Sequence, residues 1–568
     1  MSEKIIEFEK TEDWYIRQSE NWSKRGDAIK SLLYINMPKS GSRKVTLRKA
    51  AAYYESGNFT PAAEILTDMY RSGDRSGEVY ALLIKTLTAM SRYRSALYFL
   101  NDAAENGAFG FADKRKITNV SDFYRVTGEI KKRYPDFRSA GEVADLVYLL
   151  DHGVEFNDET LFGDMFLSEK EVACPETLFK ATGVLTPSRM EPSLADKLLG
   201  ACENNVFSDS GMPRYDVLSA EIIALVSLGR TEEARMRADE LLSYDLPEND
   251  VDLLKCSEAF IAARCHDGAR EYLEELETVL PTETVLLKAA TANYATGDYF
   301  AARDELSRLL TVYPNNITAR RLLRMLPDSD RAETDDELPA EEQIIYSDRL
   351  PAEDESEVSL RVEKMLNFAA MRGGIPENAD MENNLTYVLR YADDEYADYV
   401  CEELARTGMY TGLLKKYLLG IEGSLERKRA ILYAFCVYGT LEDDTAELFV
   451  YGYKKVTIPD FARGANNESL MRAYYYAYAT YCVYGDVVPE KLNDLFFASA
   501  DALAKYGEEN GFVYDAAAAF IEVCGIDCVF GGMLSKNIGT FADRKKTAKY
   551  VKIIEEAAHV SAADGGDE

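Results

Sequence analysis

Alanine recurs at a fixed interval near the start of this chain. Ala28 in Gly-Asp-Ala-Ile, Ala62 in Gly-Asn-Phe-Thr-Pro-Ala-Ala and Ala96 in Ser-Arg-Tyr-Arg-Ser-Ala-Leu each stand 34 residues apart. A period of that length constrains the fold more than any local propensity, because it describes one supersecondary unit stacked on its own copies. The stretch from Lys49 to Leu66 reads as a helix, a tight turn and a second helix. Ala50, Ala51 and Ala52 favour helix and let a neighbour approach closely, Gly57 and Asn58 suit the turn, and Pro61 suits a first helical turn. Ala62 and Leu66 then share one face of the second helix, with the small Ala62 where the two helices of a hairpin cross. The pattern returns in Gly229-Arg-Thr-Glu-Glu-Ala234, Cys265-His-Asp-Gly-Ala269 and Gly297-Asp-Tyr-Phe-Ala-Ala302, whose alanines are 35 and 33 residues apart.

This pattern resembles the tetratricopeptide repeat, whose signature is a small residue, an aromatic three later, Gly before the turn, an aromatic after it, then Ala. Ala50, Tyr53, Gly57, Phe59 and Ala62 match it, and Ala289–Leu306 is the best match within the chain. Six such units cover roughly residues 9–110 and 215–325, with Pro314 where the family usually ends a repeat. The chain departs from the family in lacking a tryptophan near each repeat's start and in having Leu66 and Leu100 where an aromatic is common. The resemblance implies an all-α fold, an alpha-alpha superhelix or α-solenoid of helix-turn-helix repeats. It also implies that the first helix of each pair lines a concave, partner-receiving surface. In that register Lys10, Arg17, Lys44, Tyr54 and Lys85 would stand on it, a basic lining suited to an acidic peptide held by charge-assisted hydrogen bonds. The other reading of these residues is an ordinary solvated helix face. The asparagine and lysine pattern with which chaperone-tail-binding members clamp a terminal carboxylate is replaced here by Asp13, Leu47 and Ala51.

Residues 111–214 carry no clear period, although Val143–Leu150 and Ser193–Ala201 read as amphipathic helices; degenerate repeats and a helical insertion both fit. From Pro327 to Val358 acidic residues dominate, which reads as a solvated linker. Two roles for it stand open, a passive tether and an internal ligand occupying the basic groove. Beyond it a second period emerges: Cys436-Val-Tyr-Gly439, Cys482-Val-Tyr-Gly485 and Cys528-Val-Phe-Gly531 recur at intervals of 46, each expected to precede a helix reaching Phe449, Leu495 and Phe541. That period resembles HEAT and armadillo repeats in length and helix-pair layout only. The expected organisation is a first array over 1–326, an acidic linker over 327–358, a second array over 359–560 and a disordered tail over 561–568.

Chemistry is sparse. Histidine occurs three times, at His152, His266 and His559, without paired spacing. There is no HExxH, no phosphate-binding Gly-rich loop ending in Gly-Lys-Ser/Thr and no Gly-x-Ser-x-Gly elbow, so no catalytic residue, metal site or cofactor is expected. Nine cysteines are spread thinly, which reads as reduced thiols in a cytoplasmic protein. The aligned cysteines of stacked helices would lie about 8–10 Å apart, too far to share a zinc ion, and read as packing. A net charge of −33 disfavours nucleic acid, which needs a clustered basic face. No run of about 20 apolar residues suits a membrane span. Tyr474, Tyr478 and Tyr481 share a helix face, read first as core and second as an aromatic groove. The expected function is a non-catalytic interaction scaffold binding a protein or peptide in a concave groove. The alternative is a regulatory sensor whose superhelix responds to a peptide or small ligand.

Overall fold

The computed structural model describes residues 11–106, 192–327, 339–525 and 542–564, short gaps within these spans apart. They form an all-α protein of twenty-two helices among the described residues, with one two-stranded sheet. Chain contacts divide it into two compact units, separated in sequence between Pro351 and Ala352.

The first unit contains α1 (Glu12–Ser23), α2 (Ala28–Asn36), α3 (Arg43–Glu55), α4 (Phe59–Arg71), α5 (Gly77–Ala89), α6 (Pro192–Cys202), α7 (Tyr215–Ser227), α8 (Thr231–Leu242), α9 (Asp250–Ala262), α10 (His266–Val279), α11 (Glu283–Ala295), α12 (Tyr299–Val312) and α13 (Ile317–Met325). Side-chain caps start many of them. Asp27, Ser42, Asn249, Thr282, Asp298 and Asn316 each accept from a backbone N–H three residues on, satisfying a donor that the helix itself cannot. Consecutive helices pack as antiparallel-type neighbours, α1 on α2, α3 on α4, α9 on α10 and α11 on α12, and each pair packs on the next. Most of the alanines that set the period are buried: Ala62, Ala234, Ala269 and Ala302 expose no surface and Ala96 almost none, while Ala28, at the start of α2, is half-buried. Of the two helices expected in the irregular section, Ser193–Ala201 lies within α6, and Val143–Leu150 lies outside the described residues.

One feature of this unit departs from a stack in which each hairpin meets only its neighbours in sequence. Leu32, Ile35, Val45, Tyr53 and Ala62 of the first hairpins share one buried core with Leu286, Leu287, Tyr294, Leu306 and Leu322 of α11–α13. Polar contacts stitch the same seam. Asn58 Nδ2 donates to the carbonyl of Pro281 at 3.0 Å, and the Tyr313 hydroxyl donates to Asn58 Oδ1. The physical reason is that the first hairpins carry apolar faces that a free array end would leave in water; here those faces are covered by the hairpins more than 220 residues further on.

The second unit comprises α14 (Ala352–Arg372), α15 (Ala379–Tyr391), α16 (Asp394–Thr407), α17 (Thr411–Leu419), α18 (Leu425–Tyr438), β1 (Thr445–Phe449), β2 (Tyr453–Thr457), α19 (Glu468–Tyr484), α20 (Lys491–Ala504), α21 (Phe512–Cys524) and α22 (Arg544–Asp564). Helices α16, α18, α19, α21 and α22 pack in that order. Cys436 and Cys482 lie buried at matching places on α18 and α19, whereas Cys528 and Phe541 lie outside the described residues. Leu495 falls on a helix, α20, as the period requires. Phe449 does not. It ends β1, which pairs antiparallel with β2 in the register Phe449↔Tyr453. The local cause is alternation: in Thr445-Ala-Glu-Leu-Phe, Ala446 and Leu448 face inward and Glu447 outward, a pattern of two that a helix cannot satisfy. Two boundaries also shift. Ala352–Val358, expected as linker, form the first turns of α14, and α22 continues to Asp564, leaving only 565–568 of the expected tail outside the described residues.

Candidate peptide-binding cleft

Within the first unit, α9 and α11 are the first helices of successive hairpins, and a cleft of about 580 Å³ opens along them. Its floor is an ion pair between Lys288 of α11 and Glu258 of α9, with Ile261, Ala262 and Thr284 beside it. Its rim is the turn into α10, where Arg264 and His266 stand. One wall of the cleft comes from a distant stretch of the chain. Residues 344–347 from the acidic stretch, which form no helix or strand, complete its lining.

Each of these residues is held differently. Ile344 is half-buried against the core that joins the early and late hairpins. The carbonyl of Ile345 accepts a long hydrogen bond of 3.4 Å from Thr291 Oγ1. Tyr346 stacks on His266, with ring centroids 5.8 Å apart and planes inclined by 18°, and its hydroxyl lies 2.9 Å from His266 Nδ1. Just beyond, Leu350 is buried. This part of the acidic segment packs along α9–α11 and touches them with its uncharged residues.

Arg264 gives the rim an unusual backbone. The hairpin turns at Gly57 and Gly297 have φ of 75° and 84°, a left-handed conformation that glycine adopts without a Cβ clash. Arg264 occupies the matching turn with φ of 56°, at a cost of roughly 1–2 kcal/mol for an L-residue. Strain of this kind concentrates at ligand sites, and here it sets a guanidinium at the mouth of the cleft.

The residues expected to line a basic groove are distributed over three neighbouring helices. Arg17 on α1 and Lys44 on α3 are exposed, and Lys85 on α5 is half-buried; α1 packs on α3 and α3 on α5. No contact among the described residues joins these three cations to one another. Tyr54 is half-buried, its ring 5.6 Å from that of Phe59 and its flank against the shared core, so only part of it faces outward. Lys10 lies outside the described residues. Nearby cations are already engaged: Arg43 with Asp74 at 2.6 Å, and Arg48 with Glu55 at 2.9 Å and with the hydroxyls of Ser19 and Ser31.

In the second unit the tyrosine face of α19 formed by Tyr474, Tyr478 and Tyr481 is core, not groove, while Tyr476 is half-buried. Tyr474, Tyr475, Tyr478, Tyr481 and Tyr484 are all buried, and each hydroxyl has a partner. Tyr474 donates to Asn493 Oδ1, Tyr475 to the carbonyl of Pro459 and Tyr478 to that of Thr457, each at 2.6 Å; Tyr481 donates to Gly525 O at 3.0 Å and Tyr484 to Glu426 at 2.8 Å. Such hydroxyl contacts let tyrosine fill an interior without an orphaned polar atom.

Among the described residues no group of three or more His, Cys, Asp or Glu side chains is placed to hold a metal ion. No described helix is long and apolar enough to cross a membrane. In comparisons with known proteins, no family model matches the chain and no curated protein is similar to it in sequence.

Proposed function

We propose that this protein is a non-catalytic interaction scaffold. In this reading residues 1–326 are an α-solenoid of tetratricopeptide-like hairpins, residues 359–560 a second helical array, and the acidic segment between them a linker. A protein or peptide partner binds in a groove lined by the first helices of the hairpins. One observation carries the reading: a non-helical piece of polypeptide, Ile344–Ser347, packs along α9–α11 at the edge of the cleft through ring stacking, a hydroxyl hydrogen bond and apolar packing. Those are the interactions with which a groove recognises a short peptide. A second surface, carrying Arg17, Lys44 and Lys85, suits an acidic peptide. A cytoplasmic setting fits Cys256, Cys401 and Cys482, buried thiols outside any disulfide. The alternative, a regulatory sensor, is favoured by the way a separate segment of the chain walls the cleft.

The test is capture from the source organism's lysate with three baits: the intact protein, a form with charge reversals at Lys10, Arg17, Lys44 and Lys85, and a form with the cleft blocked by Ile261→Glu and Thr284→Arg. Circular dichroism first establishes that all three are equally helical. A defined partner lost only from the cleft-blocked bait is the expected result. Loss only from the charge-reversed bait moves the groove to α1, α3 and α5. Recovery of nothing specific by any bait removes the scaffold reading.

A further inference from the structure

The segment that walls the cleft differs from the chain around it. From Asp328 to Glu342 the sequence is dominated by carboxylates, and Asp348 follows, yet the four residues that line the cleft, Ile344-Ile345-Tyr346-Ser347, are uncharged. A plain solvated tether has no need of two branched aliphatic residues and a tyrosine, which lose favourable free energy when exposed. These are also the residues whose side chains are half-buried. The attachment is nevertheless slight: one well-formed hydrogen bond at 2.9 Å, one long one at 3.4 Å, a ring stack and one aliphatic side chain against the shared core. Contacts of this number hold a segment that is permanently nearby and release it to a stronger competitor.

We infer that Ile344–Ser347 is a tethered competitor for its seat on α9–α11 beside the cleft, and that the partner which displaces it is a short peptide of the same chemistry: two adjacent branched aliphatic residues followed by tyrosine. This rests on the reading of the cleft as a peptide groove. The chemistry of the site argues for the uncharged peptide over an acidic one, because the floor cation Lys288 is committed to Glu258. What the seat offers is the face and Nδ1 of His266 for an aromatic ring with a hydroxyl. The strap joins α13 through fewer than twenty residues, so its effective concentration at the cleft is on the order of millimolar. A free peptide must exceed that to enter the intact protein.

The experiment uses the full chain and a fluorescein-labelled synthetic peptide of residues 341–350, with a scrambled peptide as control, read by fluorescence anisotropy. The full-length Ile344→Ser, Ile345→Ser, Tyr346→Ser variant should bind the peptide about tenfold or more tightly than the intact chain does, because the internal competitor no longer holds the seat. Adding His266→Ala to that variant should remove most of the gain. Tyr346→Phe, which deletes a single hydroxyl, should give a smaller gain of about threefold and guards against misfolding of the triple variant. Equal affinity of the intact and vacated chains overturns the competitor and leaves the groove. Saturable binding by neither overturns the groove itself. Equal binding of the scrambled peptide overturns the proposed chemistry of the partner.

Discussion

Asn293 on α11 donates from Nδ2 to Oε1 of Glu305 on α12 at 2.9 Å, and both side chains are buried. The remaining oxygens, Asn293 Oδ1 and Glu305 Oε2, have no hydrogen-bond partner. A proton on Glu305 supplies the missing donor, turning an ion in an apolar site into a carboxylic acid paired with a carboxamide. Burial, reinforced by the nearby Glu277 carboxylate, pushes the Glu305 carboxyl up to about 8 from an ordinary 4.5. The folded state therefore holds this proton more tightly than the unfolded chain. Its contribution to stability is complete below about pH 4.5 and is lost as pH rises through about 8. Glu305→Gln keeps an acceptor for Asn293 and adds a permanent donor. We expect its urea midpoint to fall less between about pH 5 and 9 than that of the wild type. A parallel fall in the variant would mean that Glu305 is ionised throughout.

At the level of helices and strands, much of the architecture can be read from the residues. The 34-residue alanine spacing marks hairpins at Ala62 and, in its later copies, at Ala234, Ala269 and Ala302, because a fully buried crossing point tolerates only a small side chain. The period of 46 locates α18, α19 and α20, yet extending it to Phe449 is misleading, since the two-residue alternation of Thr445–Phe449 outweighs a distant repeat. The turn at Arg264 was open to a closer reading: where Gly57 and Gly297 hold left-handed turns, an arginine in register is a departure worth marking. The tyrosine face of α19 is ambiguous by spacing alone, because core and groove share the same periodicity. Hydroxyl partners decide it. Tyr478→Phe removes the bond from α19 to the Thr457 carbonyl of β2 and should lower stability by about 1 kcal/mol. Urea unfolding followed by far-ultraviolet circular dichroism measures this, and an unchanged midpoint would place the hydroxyl in water.

At the largest scale the sequence is least informative, because a local period says nothing about which hairpins meet far along the chain. Asn58 reaches Pro281 and Tyr313, contacts spanning 223 and 255 residues, and no repeat signature encodes them. The strap is of the same kind: Tyr346 and His266 are 80 residues apart. Both follow from surfaces left uncovered by the hairpins rather than from the hairpins themselves. The consequence concerns cooperativity. In an array whose hairpins touch only their neighbours, the first hairpins unfold independently of the last. A shared core ties the two together, so α2–α4 and α11–α13 should open as one unit. Asn58→Leu strands the buried Pro281 carbonyl and Tyr313 hydroxyl without their partner, at a cost of about 2–3 kcal/mol. Native-state hydrogen exchange should then show amides of α3 and α4 and of α11 and α12 losing protection together and by similar factors. Loss confined to α3 and α4 would mean that the early hairpins merely rest against the late ones and that the unit behaves as an ordinary linear array.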